Sequence, residues 1–193
     1  MNRMIALAEH AKKRGIKYLT AYTLSTENLS RPKDELDGLF DLFRNYFTEN
    51  VKKLYAENSA VKIIGDVDAL PEDIARLLKE GEKNSPANAD FTMVFAINYG
   101  GRAEIINAVN RAIERGEKTD AAGFEKLLYT GDLPEPDLII RTGGELRLSN
   151  FLTYQSAYSE LYFTDVLFPD FTDEEFDKAI ESYCSRERRF GKV

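Results

Sequence analysis

Apolar positions along the chain alternate between a helical period and short unbroken runs. Met4, Leu7, Ala8 and Ala11 recur at three- and four-residue spacing, which predicts a helix, and Gly15 stands where that helix would stop. Residues 16–24 read as a buried strand carrying Tyr18, Leu19, Tyr22 and Leu24, and residues 25–33 as a polar connection. Pro32, Asp34 and Glu35 then open a helix, as proline and acidic side chains do in a first turn. Its apolar stripe is the widest in the chain: Leu36, Leu39, Phe40, Phe43, Tyr46, Phe47, Val51 and Leu54. A short strand is predicted at 61–65 and a helix at 71–83. Residues 91–97 are continuously apolar, as a strand covered on both faces would be. A helix at 102–115 is expected to turn Ile105, Ile106, Val109 and Ile113 inward. A short helix at 121–128, strands at 138–141 and 161–163, and a closing helix at 172–186 complete the series. Thr172 and Glu175 have the spacing of a capping box.

Strands thus alternate with helices from end to end. This predicts an α/β fold, a single domain over residues 1–193 with a mostly parallel central sheet flanked by helices in Rossmann-like layers. No repeat, low-complexity tract or linker divides the sequence. Ligands of such sheets gather at the carboxyl ends of strands. Ser25, Asn98 and Arg141 each follow a predicted strand, so three distant stretches are expected to meet on one rim.

The composition narrows the function. A hydrophobic share of 43% and a charged share of 31% describe an ordinary soluble globule. No apolar run is long enough to span a bilayer, and no secretory leader is visible. The single Cys184 cannot form an internal disulfide and suits a reducing cytoplasm. His10 reads as a solvated or packed side chain, not a catalytic one. A net charge of -7 argues against nucleic acid as a partner. Nothing matches a glycine-rich nucleotide-binding loop. With this overall charge, an anionic substrate must be drawn by a local cluster of arginines.

Such a cluster lies between Asp137 and Phe151. An apolar run delivers Arg141 to a strand end, Gly143 and Gly144 turn the chain, and Arg147, Leu148 and Ser149 come at once after them. Two guanidinium forks, a hydroxyl and free loop amides can together hold a diphosphate. The plainer alternative is a turn that happens to carry surface arginines.

The residues downstream favour the functional reading. The stretch from Ser149 through Tyr154-Gln155-Ser156-Ala157-Tyr158-Ser159-Glu160-Leu161-Tyr162-Phe163 to Phe171 closely resembles the C-terminal signature of cis-prenyltransferases, the undecaprenyl diphosphate synthase family. Ser25-Thr26-Glu27-Asn28-Leu29-Ser30-Arg31-Pro32 and Asn98-Tyr99-Gly100-Gly101-Arg102 agree with it, in the right order. The resemblance covers essentially the whole chain. It implies condensation of isopentenyl diphosphate onto an allylic diphosphate such as farnesyl diphosphate, with cis double bonds, to make a polyprenyl (undecaprenyl) diphosphate. By the same resemblance, Arg141, Arg147, Leu148 and Ser149 bind isopentenyl diphosphate, and Glu160 is a ligand of Mg²⁺. Ser25, Thr26, Glu27, Asn28 and Arg31 belong to a loop that closes over substrates. Asn28 takes part in proton transfer; as a poor base it would orient or relay the proton. The 36–54 helix would help wall a lipid tunnel, and Arg189-Phe190-Gly191 would reach a diphosphate across a homodimer interface. The expected setting is the cytoplasm, in peripheral contact with the inner face of the membrane.

One part of the family pattern is missing. The family opens with a strand and a phosphate loop bearing an essential aspartate, in a motif like Met-Asp-Gly-Asn-x-Arg-Trp. The sequence has no such motif and no tryptophan, and Leu29 stands where a tryptophan is usual. The resemblance therefore implies an N-terminally incomplete domain that lacks a central strand, with Glu160 alone a weak Mg²⁺ site and little or no activity in the 193-residue polypeptide. The alternative within the family is a non-catalytic partner subunit.

Overall fold

The computed structural model describes residues 2–116 and 118–187. In chain order the elements are α1 (Asn2–Lys13), β1 (Tyr18–Ser25), α2 (Lys33–Ala56), β2 (Ser59–Ile64), α3 (Glu72–Lys83), β3 (Phe91–Tyr99), α4 (Gly101–Arg115), α5 (Ala121–Glu125), β4 (Leu138–Arg141), β5 (Glu160–Phe163) and α6 (Asp173–Cys184). Every strand pairing is parallel. The α/β expectation therefore holds, and the strands fall into two hydrogen-bonded groups: β1-β3-β2 and β4-β5.

The most apolar strand takes the most buried place. β3 lies between β1 and β2, and Met93, Val94, Ala96, Ile97 and Tyr99 are fully covered. The stripe predicted on α2 packs against it: Phe40, Phe43, Phe47, Val51 and Leu54 are buried, with Phe47 edge-on to Phe95 at 5.9 Å. Tyr46, at the margin of the stripe, is half exposed. α1 ends as predicted, with Gly15 at φ +79 and Ile16 N returning to Ala11 O at 3.1 Å. His10 is packed between α1 and α6, with Nε2 2.8 Å from Asp177 Oδ1 and the ring edge-on to Phe176. Thr172 caps α6 through Glu175 N at 3.4 Å, while the Glu175 carboxylate turns to Lys178.

α4 departs from its prediction. Ile106, Val109 and Ile113 face outward, at 61%, 39% and 71% exposure, and the buried face is Gly101, Glu104 and Ala108. Both faces have helical spacing. The polar one wins because Glu104 finds three hydrogen-bond donors in the interior.

β1 and β4 flank a groove of about 1090 Å³, with Met4 and Leu7 of α1 and Phe171 and Phe176 among its apolar lining. Arg141, Arg147, Leu148 and Gln155 also line it. The α2 stripe is packed in the core against β3, and none of its residues lines this groove.

Candidate active site

The loop after β4 is an unusual piece of backbone. Gly143 and Gly144 turn it with φ +86 and +75, a region open to glycine. Their amides donate to Val166 O and Thr164 O, each at 2.9 Å, extending the pairing with the chain beyond β5. These two N–H groups are therefore not among the loop amides left free for an anion. Further on, Ser149, Asn150 and Leu152 have φ of +51, +64 and +44. Each such conformation costs roughly 1–2 kcal/mol outside glycine, less for asparagine.

Asn150 holds this loop down. Its Nδ2 donates to Glu27 Oε1 at 2.8 Å, its Oδ1 accepts from Arg102 N at 2.9 Å, and its carbonyl accepts from Gly101 N at 2.7 Å. One side chain and its own carbonyl thus join all three stretches expected to share a rim. Gly100 and Gly101 are glycine for the same reason: a Cβ on Gly100 would lie 2.5 Å from Thr26 Oγ1 and 2.7 Å from Asn150 Nδ2, and one on Gly101 would collide with Thr153. Beneath the loop, Phe151 stacks on Tyr22 at 4.7 Å, and Tyr22 Oη donates to Tyr99 O at 3.0 Å.

The stretch after β1 is more ordered than a polar connection. β1 runs through Ser25, and Thr26–Ser30 form a 3-10 turn. Ser25 and Asn28 cap it reciprocally: Ser25 N donates to Asn28 Oδ1 at 2.9 Å, and Asn28 N donates to Ser25 Oγ at 3.3 Å. Burial pushes the Glu27 carboxyl up, but hydrogen bonds from its own backbone, Asn150, Ser25 and Thr26 outweigh this and hold it below its usual range. Arg31 is exposed and 3.8 Å from Glu35.

Charge is concentrated at the groove. Arg141 is half-buried, and its Nε is fully covered without a hydrogen-bond partner. A guanidinium N–H held in that state is costly unless an acceptor arrives. Tyr22 lies close enough to respond: burial, then the Glu27 charge, push its phenol up to about 12, against the opposing pull of Ser25 and Arg141. Arg147 is exposed and paired with Glu145, and Leu148 lines the groove beside it. The Ser149 carbonyl lies 3.5 Å from Tyr22 Oη.

Glu160 does not join these groups. The parallel register sets it level with Leu138, while Phe163 is level with Arg141. Three residues of strand, about 10 Å, separate the two positions. The Glu160 carboxylate is bound instead by Arg186 Nη1 at 2.6 Å. Prenyltransferases generally need a divalent metal, but among the described residues no group of three or more metal-ligating side chains converges. Glu160 in its ion pair does not by itself fit Mg²⁺, which takes near-octahedral oxygen ligands. Arg188 and Arg189-Phe190-Gly191 lie outside the described residues.

Three comparisons place this chain among known proteins. Residues 1–191 fit the profile of the Prenyltransf family, undecaprenyl diphosphate synthase. The chain belongs to this family. An isoprenyl transferase of Fusobacterium nucleatum is 48% identical over 186 residues, covering 96% of this chain and 80% of that protein. One from Thermotoga maritima is 48% identical over 182 residues, covering 92% and 78%. Among solved structures, a probable undecaprenyl diphosphate synthase from Campylobacter jejuni superposes with a TM-score of 0.89 at 36% identity, covering 99% of this chain and 91% of that one. Lavandulyl diphosphate synthase from Lavandula x intermedia, solved with dimethylallyl diphosphate, gives 0.90 at 34% identity, with 99% and 88% covered. As a member of the undecaprenyl diphosphate synthase family the protein is an enzyme, a prenyl-transferring transferase of isoprenoid synthesis. Among the described residues no helix is long and apolar enough to cross a membrane.

Four residues central to this geometry carry no predicted role: Tyr22, Glu104, Asn150 and Gln155. Asn150 had a readable signal, since asparagine tolerates left-handed backbone. Glu104 had one too, as the charged member of a Gly101, Glu104, Ala108 face.

Proposed function

We infer that the protein condenses isopentenyl diphosphate onto an allylic diphosphate, farnesyl diphosphate, adding cis units to make undecaprenyl diphosphate. The observation that carries this reading is the covered, unpartnered Nε of Arg141 at the end of β4, beside the glycine turn that leads to Arg147. A diphosphate supplies the acceptor that this donor lacks.

In the reaction the isopentenyl double bond attacks the carbon that bears the allylic diphosphate. Diphosphate leaves, and a proton is lost from the new chain. Arg141 and Arg147, with Ser149, hold the isopentenyl diphosphate, and Leu148 packs beside it. Bidentate guanidinium pairing fits this task, because it fixes orientation as well as charge. Asn28 orients the departing proton. Its Oδ1 is already committed to Ser25 N, so it acts within a preformed turn. Ser25, Thr26, Glu27 and Arg31 close over the substrates, with Glu27 tethered to Asn150. Glu160 becomes a Mg²⁺ ligand only if Arg186 releases it and further oxygen ligands are supplied. The protein works as a homodimer in peripheral contact with a membrane, and the exposed Ile106, Val109 and Ile113 are an apolar surface suited to self-association.

The test is calorimetric titration with isopentenyl diphosphate. Arg141→Lys keeps the charge and loses the fork, at about 1.4–2.8 kcal/mol, so the dissociation constant should rise roughly 10- to 100-fold. Unchanged affinity in a folded Arg141→Lys protein, or no binding by the parent, would overturn the assignment.

A further inference from the structure

Glu104 is 1% exposed, yet it lies in the first turn of α4, where a carboxylate would ordinarily reach solvent. Its two oxygens take three donors, one from the adjoining end of β3 and two from stretches 25 and 51 residues away. Oε2 accepts from Tyr99 Oη at 2.5 Å and from Gln155 Nε2 at 2.9 Å. Oε1 accepts from Tyr129 N at 2.9 Å. Gln155 Nε2 also donates to Thr130 Oγ1 at 2.6 Å. All three donors to Glu104 are uncharged. Only a group that accepts at every lone pair can satisfy them together; a glutamine here would set an NH₂ against another donor.

Two of the three donors, Gln155 and Tyr99, belong to the surroundings of the signature loop. Gln155 begins the 3-10 turn Gln155–Tyr158, which comes directly after the strained stretch 149–152, and it lines the groove with Arg141 and Arg147. With Nε2 engaged by Glu104 and Thr130, the amide can turn only one way, and Oε1 is left covered and unpartnered. Tyr99 lies edge-on beneath both Tyr22 and Phe151, at 6.0 and 6.2 Å, and its carbonyl receives the Tyr22 phenol. Glu104 therefore grips the loop at its far end through Gln155 and from beneath through Tyr99.

We propose that Glu104 is a positioning residue for the isopentenyl diphosphate site, acting through Gln155 and Tyr99 to hold the 149–152 backbone in the conformation that presents Arg147 and Ser149. This rests on the reading that the loop binds that diphosphate. Glu104 touches no substrate. Its loss loosens the diphosphate-binding loop.

The experiment compares the parent with Glu104→Gln, Gln155→Met and the double variant, by calorimetric titration with isopentenyl diphosphate alone and by urea unfolding. The dissociation constant should rise at least tenfold in each single variant. The double variant should be no weaker than Glu104→Gln, because Gln155→Met breaks a linkage that Glu104→Gln has already lost. Where turnover is measured, KM for isopentenyl diphosphate should rise far more than kcat falls. Glu104→Asp keeps the acceptors on a shorter stem and should recover part of the affinity. Should Glu104→Gln not fold, Gln155→Met carries the same test. Folded variants with parental affinity, or fully additive losses, would overturn the proposal. Failure of the parent itself to bind would instead overturn the site assignment on which it rests.

Discussion

Asn150 offers the sharpest test of how the signature loop is held, because replacing it removes three separable contributions. Asn150→Ala deletes the donor to Glu27 Oε1 at 2.8 Å, a charged but exposed partner, at about 1 kcal/mol. It also deletes the acceptor for Arg102 N at 2.9 Å. α4 has Gly100 at its N-cap and no side chain of its own there, so Asn150 serves as the cap from a distance, again at about 1 kcal/mol. Finally, it places an alanine at φ +64, at about 1 kcal/mol more. The expected total is about 3 kcal/mol, read by urea unfolding. Asn150→Gly loses the hydrogen bonds but tolerates the backbone, so it should be about 1 kcal/mol more stable than the alanine variant. The Glu27 bond adds a pH signature. Its carboxyl is held below the usual range when folded, so its stabilisation is present above that range and is lost as pH falls through the folded value. The alanine penalty should therefore shrink in acid. Equal stability of the alanine and glycine variants, or an alanine variant within about 0.5 kcal/mol of the parent, would refute this account of the loop.

Two further predictions concern titration. Tyr22 should ionise at about 12, seen as an absorbance change near 295 nm that Tyr22→Phe removes. Because the folded value is raised, the stability it contributes is intact below about 10 and is lost as pH climbs through about 12. Asp177 is held below the usual carboxylate range by Arg14 and then His10, joining α6 to α1. Its contribution is present above the ordinary aspartate range and lost as pH falls beneath it, so Asp177→Asn should flatten the acid side of the stability profile measured by thermal unfolding.

Much of this architecture was legible because local pattern and global role agree. The unbroken apolar run of 91–97 became the central strand, and the stripe on α2 became its cover. The rim shared by Ser25, Asn98 and Arg141 followed from strand ends alone, and Asn150 supplies its physical connection. The misreadings arose where pattern is blind to pairing. Ile106, Val109 and Ile113 have the spacing of a core face, but period cannot distinguish apolar residues facing solvent from those facing inward. Gly143 and Gly144 turn the chain as expected, but their amides are spent on Thr164 and Val166, partners about twenty residues away in sequence. Glu160 sits in the same signature as Arg147, yet a parallel strand that starts level with Leu138 carries it to the other end of the ladder. Arginine in a glycine-turned loop declares itself by type, whereas the groups that hold such a loop in a strained shape do not. Glu104, Tyr99 and Gln155 look like core or helix residues one at a time, and only their mutual hydrogen bonds give them a task. The left-handed backbone at Asn150 is held by its own bonds to Glu27, Gly101 and Arg102. The shape of the signature loop is thus set largely by residues that lie outside it.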